Sequence, residues 1–153
     1  MTTDNLDLFS YFTGTKRAYG LFQDRFGTVR RRFTVDIIGS VQGDQLRLEE
    51  DFLYDDGETD QRTWLIRSLG QNQFVGTADD IIEQAMGKVS DSSLHWQYSM
   101  NLKLKKRTIK VDFDDWMYLM PDQVLINRAE VKKFGLLLGT VFICFKPMLP
   151  DSP

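Results

Sequence analysis

Two acid–guanidinium pairs carry most of the chemistry that this 153-residue chain offers. In DFDDWMYLMPDQVLINRA, Asp112 to Ala129, Pro121 sits where a type I turn wants a preset φ, and the β-formers Trp116 to Met120 and Val124 to Asn127 flank it. A hairpin turning at Met120-Pro121-Asp122-Gln123 pairs Leu119 with Val124, Met117 with Ile126 and Asp115 with Arg128. In EDFLYDDGETDQRTW, Glu50 to Trp64, a three-residue loop with Gly57 in the left-handed region pairs Glu50 with Arg62, Leu48 with Trp64 and Leu46 with Ile66. A carboxylate or guanidinium buried alone costs several kcal/mol, so these groups face inward only as pairs. An inward pair either orients a ligand carboxylate or phosphate through its arginine, or closes a barrel end and fixes register.

Other candidate groups do not converge. Alternation puts Asp112 and Asp114 on one strand face and Asp115 on the other, so the three do not form a hard-cation site. His95 is the only histidine and falls on the polar face of its strand, which argues against a zinc site or a histidine-based triad. The basic runs Arg30-Arg31-Arg32 and Lys103 to Arg107 are split between two faces in a strand. No glycine-rich phosphate loop, Walker pattern or nucleophile elbow occurs, so no catalytic residue, metal or cofactor is assigned.

The net charge of −3 repels phosphate backbones and sets nucleic acid aside as a partner. Cys144, the only cysteine, lies in VFICF and reads as a buried small apolar residue; no intramolecular disulfide is possible. The longest mostly apolar run, Phe134 to Phe145, is shorter than the roughly 20 residues of a spanning helix and reads as a core strand. Met1 to Leu8 has neither a basic n-region nor an apolar h-region, so the chain as it stands is expected in the cytoplasm.

These groups must be positioned by strands. Period-two alternation runs through Arg17–Asp24, Val29–Val41, Leu46–Tyr54, Gln73–Ala78 and, most cleanly, Leu94–Leu104, where Leu94, Trp96, Tyr98, Met100 and Leu102 share a face. Lys105-Lys106-Arg107 reads as a charged turn. Leu6–Phe12 has the spacing of a short helix that plugs one end of a sheet, and Asp79-Asp80 ahead of Ile81, Ile82, Ala85 and Met86 predicts a second helix over 79–86. Nine or ten strands joined by short turns predict an all-β fold, a closed or nearly closed antiparallel up-and-down barrel, with a two-sheet sandwich as rival. One domain is expected, with a lead-in at 1–15, a barrel at 16–147 and a tail at 148–153.

The stretches YFTGTKRAYGLFQDRFG (Tyr11 to Gly27), EDFLYDDGETDQRTW, GTADD (Gly76 to Asp80) and DFDDWMYLMPDQVLINRAEVKKFGLLLGTV (Asp112 to Val141) together resemble the bacterial family designated domain of unknown function 3833. The resemblance spans Leu6 to Pro147, and it implies a lipocalin-like (calycin-like) barrel without implying an activity. Two departures stand out. Many members carry a lipoprotein signal ahead of the domain, which makes the bacterial envelope the alternative location. Where the family tends to have Gly-Asn, this chain has Asp91-Ser92-Ser93.

The expected function is non-enzymatic binding of a small apolar or amphipathic molecule, acidic and lipid-like in one version, by a monomer or weak homo-oligomer. Trp64, Trp96, Tyr98 and Met117 would line the interior, and Asp115, Arg62 and Arg128 would supply its polar contacts, with Arg62 or Arg128 meeting an acidic headgroup. The alternatives are a calycin-like cyclase, isomerase or hydrolase using Asp115 or Glu50 as acid or base, and a structural or adaptor module whose barrel is filled by its own side chains.

Overall fold

The computed structural model describes residues 5–103 and 106–148, apart from the side chain at 103. The ends of the expected lead-in and tail, and part of the Lys105-Lys106-Arg107 turn, therefore lie outside the described residues. A short helix, α1 (Leu8–Phe12), is followed by ten strands: β1 (Gly14–Asp24), β2 (Val29–Gln42), β3 (Gln45–Tyr54), β4 (Thr59–Gly70), β5 (Gln73–Thr77), β6 (Ile81–Ser90), β7 (Ser93–Lys103), β8 (Thr108–Leu119), β9 (Leu125–Lys133) and β10 (Leu136–Pro147). Each strand pairs antiparallel with its sequence neighbours, and β1 pairs with β10 from Lys16↔Pro147 to Asp24↔Gly139, which closes the sheet into an up-and-down barrel.

Alternation decides the interior. Ala18, Val35, Ile37, Leu46, Leu48, Trp64, Ile66, Leu94, Trp96 and Val111 are buried, while the intervening residues face out. The loop Asp55-Asp56-Gly57 has the expected form: the Gly57 N–H donates to the Tyr54 carbonyl at 2.9 Å with Gly57 at φ +86°, and Glu50 pairs with Arg62.

The hairpin at Pro121 is one residue longer than expected. Asp122 and Gln123 both take positive φ, the Met120 N–H donates to the Val124 carbonyl at 2.7 Å, and Leu119 pairs with Leu125 instead of Val124. The slip moves every later partner: Met117 faces Asn127, Asp115 faces Ala129, and Arg128 stands beside Trp116 on the outer face.

The helix expected over 79–86 is strand β6. Ile82 pairs with Ser99 and Met86 with Gln97, so two extra residues bulge between them, with Glu83 at φ +60°. The bulge turns a strand's spacing of apolar residues into one that imitates a helical face; Ile81 and Ala85 point inward, whereas Met86 is exposed.

One end of the barrel is stoppered by α1. Asp7 caps the helix by accepting from the Ser10 N–H at 3.2 Å, the Leu6 N–H donates to the Asp91 carbonyl, and the Tyr11 hydroxyl donates to the Gln123 carbonyl at 2.9 Å. Gly39 permits the close approach, since a Cβ there would sit 1.7 Å from the Phe12 carbonyl oxygen. Leu8, Tyr11 and Phe12 are buried as a result, with the Phe12 ring edge-on to Phe145.

Glycines also make room for Trp96. Its indole lies over Gly87, the partner on β6, and over Gly76 on β5; a Cβ at Gly87 would fall 1.9 Å from Cε3 of the buried ring. Gly87→Ala is expected to lower stability by about 1–3 kcal/mol, the usual cost of overpacking a filled site. Thermal unfolding checks this, and the same substitution in a Trp96→Leu background should cost distinctly less; equal costs in both would contradict the contact.

Candidate functional site: a two-sided hollow in the barrel

Above the stopper the side chains leave a hollow of about 460 Å³, within the size range of small-molecule pockets. Its wall on β10, β1 and β2 is apolar over Ile143, Val141, Phe22, Phe33 and Val35, with Arg30 and Arg31 of β2 bordering the space at the rim. The facing wall is different. There Glu50 (β3), Arg62 (β4), Tyr98 (β7) and Asp115 (β8) face the hollow, with Asn127 (β9) beside Asp115 and Asp80, from the turn between β5 and β6, holding Arg62.

Six of the seven residues expected to line a cavity come together here. Trp64 and Trp96 are buried and meet edge-on at 5.9 Å between ring centroids; Tyr98 packs against Trp64 at 5.4 Å and stacks on Phe113. Arg62, Asp115 and Met117 border the same space. Arg128 does not. The longer Pro121 hairpin directs it outward, where its side chain is 51% exposed and lies 3.8 Å from Glu130. The expected Asp115–Arg128 pair is thus replaced by Asp115 with Asn127, whose amide donates to the carboxylate and, at 3.2 Å, to the Trp116 carbonyl.

Arg62 is paired in register with Glu50 but bonded elsewhere. Its Nη2 donates to Oδ2 of Asp80 at 2.8 Å and its Nε reaches both carboxylate oxygens at 3.2 Å. This two-point grip fixes the guanidinium plane. Glu50 is left with an enclosed Oε1 that has no hydrogen-bond partner among the described residues.

Burial sets the protonation of the two inner acids. Desolvation pushes Glu50 from 4.5 up to about 7; nearby Arg62 opposes the rise and Asp80 adds to it. Desolvation likewise lifts Asp115 from 3.8 to about 7, against the hydrogen bond from Asn127 and with help from the Asp114 and Glu50 charges. The Tyr98 hydroxyl is pushed well above its ordinary value, first by burial and then by Asp115. These carboxyls change charge near neutrality, which exposed acids do not.

Sequence reasoning missed Asn127 and Asp80. The signal for Asn127 was present: Arg128, Glu130 and Lys132 alternate as a solvent face, leaving Leu125, Asn127, Ala129 and Val131 for the interior. Asp80 had no such signal, because nothing local tells an aspartate in a turn to bend inward. Elsewhere the expected separation holds: Asp112 and Asp114 face outward, bonded to Ser99 and His95 at 2.5 Å each. His95 stacks on Trp116, which continues to Tyr118 on the outer surface. Cys144 is half-buried on that outer side, in a shallow groove with Tyr19, Ile126 and Phe142, and is not the core residue expected.

Folded Glu50 and Asp115 keep their protons to about pH 7, whereas the unfolded chain releases them near 4.5 and 3.8. The native state therefore binds more protons over that interval, and stability falls as pH rises through it. The unfolding midpoint should be higher near pH 5.5 than near pH 8. Glu50→Gln should raise the midpoint at the higher pH by up to roughly 3 kcal/mol of stability and flatten the profile; a midpoint that climbs from the lower to the higher pH would contradict the assignment.

The family described as "Protein of unknown function (DUF3833)" matches residues 1–147, and the chain belongs to it. No curated protein matches. Among solved structures, the S-type phycobiliprotein lyase CPES from Guillardia theta is similar in fold, with a TM-score of 0.70, 10% sequence identity, and coverage of 94% of this chain and 92% of that one. No helix among the described residues is long and apolar enough to cross a membrane.

Proposed function

We propose that this member of the DUF3833 family is a container that binds one small amphipathic molecule inside its barrel without transforming it. The supporting observation is the hollow itself: about 460 Å³ bounded by an apolar wall on one side and a polar arc on the other. About eight strands enclose an interior that side chains just fill, and ten enclose more, which leaves room for one small ligand. The molecule's apolar body would lie against Phe22, Phe33, Val141 and Ile143, and its polar end against Glu50, Tyr98 and Asp115. At 10% identity the phycobiliprotein lyase supports the barrel and transfers no activity.

An acidic headgroup is the poorer fit of the versions considered. Of the arginines bordering the hollow, Arg62 is gripped by Asp80, Arg30 is bonded to Asp24 and Arg31 to Asp56 and Glu58, and Arg128 lies outside. A second reading, acid–base catalysis on the bound molecule, is favoured by one observation, the two carboxyls lifted to about 7 inside an open space. Recovery of an altered molecule after incubation would mark that reading, and its disappearance in Glu50→Gln would assign it.

Trp64 and Trp96 border the hollow and Trp116 does not, so a Trp116→Phe variant reports on the interior alone. Titrating it with neutral and charged alkyl or naphthyl amphiphiles is expected to give a saturable fluorescence change. Val141→Trp or Ile143→Trp, which fill the space, should weaken that binding at least tenfold (about 1.4 kcal/mol) in chains that still unfold cooperatively. No saturable change with any amphiphile, or binding untouched by both filled variants, would overturn the container.

A further inference from the structure

We propose that the polar end of the molecule held in the hollow is a protonated amine, a cationic N–H donor seated between Glu50 and Asp115; this deepens the container reading and rests on it. The inventory of the polar arc argues for this charge. Within the polar arc, Glu50 and Asp115 face the hollow beside one guanidinium, Arg62, which Asp80 occupies at two points; the other two guanidiniums bordering the space, Arg30 and Arg31, stand at the rim. At the rim the same holds: Arg30 is bonded to Asp24 at 2.6 Å, and Arg31 reaches Asp56 and Glu58. An anionic head entering the hollow would meet an excess of acid and no guanidinium without a carboxylate already on it. A cationic head would meet the opposite.

Hydrogen-bond capacity gives the same answer. Asn127 donates to Asp115, whereas the enclosed Oε1 of Glu50 accepts nothing among the described residues; the Nε of Arg31, at the rim, is likewise unpartnered, but on a guanidinium already held by Asp56 and Glu58. A buried acceptor left so is costly, and the interior holds it in place by rigid strands on both sides. An ammonium carries three donors and no acceptor, so it can satisfy Glu50 and still reach Asp115 without leaving a lone pair of its own unpartnered. Burial of the resulting charge pair is compensated on both members at once, which a neutral alcohol or an acid head cannot do. The opposite wall, from Phe22 to Ile143, is apolar and suits an alkyl or aryl tail.

Calorimetric titration of the full chain with decylamine, decanol and decanoate, slightly above neutral pH, tests the head group at constant tail. Decylamine is expected to bind at least about tenfold more tightly than either of the others, and Glu50→Gln or Asp115→Asn, each confirmed folded by its thermal midpoint, should abolish the preference. If decanol or decanoate binds as tightly as decylamine, or the preference survives in both variants, the amine assignment is overturned while the container stands. If none of the three binds, the container falls and the assignment falls with it.

Discussion

The pairing of β1 with β10 is the constraint on which the interior depends. Nine backbone pairs, Lys16↔Pro147 through Asp24↔Gly139, join the two ends of the chain's strand order. They remove both free edges of a ten-stranded sheet, edges that would otherwise offer unpaired N–H and carbonyl groups to any other strand. Closure also converts alternation into containment. Once the sheet is a ring, every second residue of every strand looks toward a common axis, and the volume enclosed is set by side-chain size. Large rings fill the stoppered end, where Phe12 and Phe145 meet; toward the other end Glu50, Arg62 and Asp115 interrupt the apolar layers and the packing opens.

Much of this was legible in the residues, for identifiable reasons. Leu94, Trp96, Tyr98, Met100 and Leu102 were assignable to the interior because their strand alternates without interruption, and the Glu50↔Arg62 register follows from Gly57 as the left-handed residue of a three-residue loop, although Asp55 to Asp60 also admits other loop lengths. The failures have a common form. At Pro121 the proline signals a turn but not its length, and two consecutive left-handed residues, Asp122 and Gln123, add the position that sends Arg128 to the surface. At Ile81–Ser90 a two-residue bulge gives a strand the apolar spacing of a helix. Irregularities with positive φ at non-glycine residues leave little trace in composition, and each shifts the faces of everything after it.

The site's electrostatics follow from these same accidents of register. Had Arg128 faced Asp115, the carboxyl would have been neutralised and held low. With Asn127 there instead, Asp115 keeps a hydrogen bond but gains no countercharge, and burial raises it to about 7. Glu50 reaches a similar state by another route, since its register partner Arg62 is diverted to Asp80. Two acids that should have been paired are therefore left poised within an enclosed space, a condition that costs stability in the empty protein. Function is the ordinary reason for such a cost to persist.

A container of this kind would hold one guest. Native mass spectrometry of the chain after incubation with a mixture of amphiphiles tests it most directly, because an enclosed guest survives transfer to the gas phase and a surface-bound one is shed. A single adduct per chain is expected, lost when Val141 is replaced by Trp. A bare chain under all conditions, or a graded ladder of adducts that the filled variant shares, would contradict it.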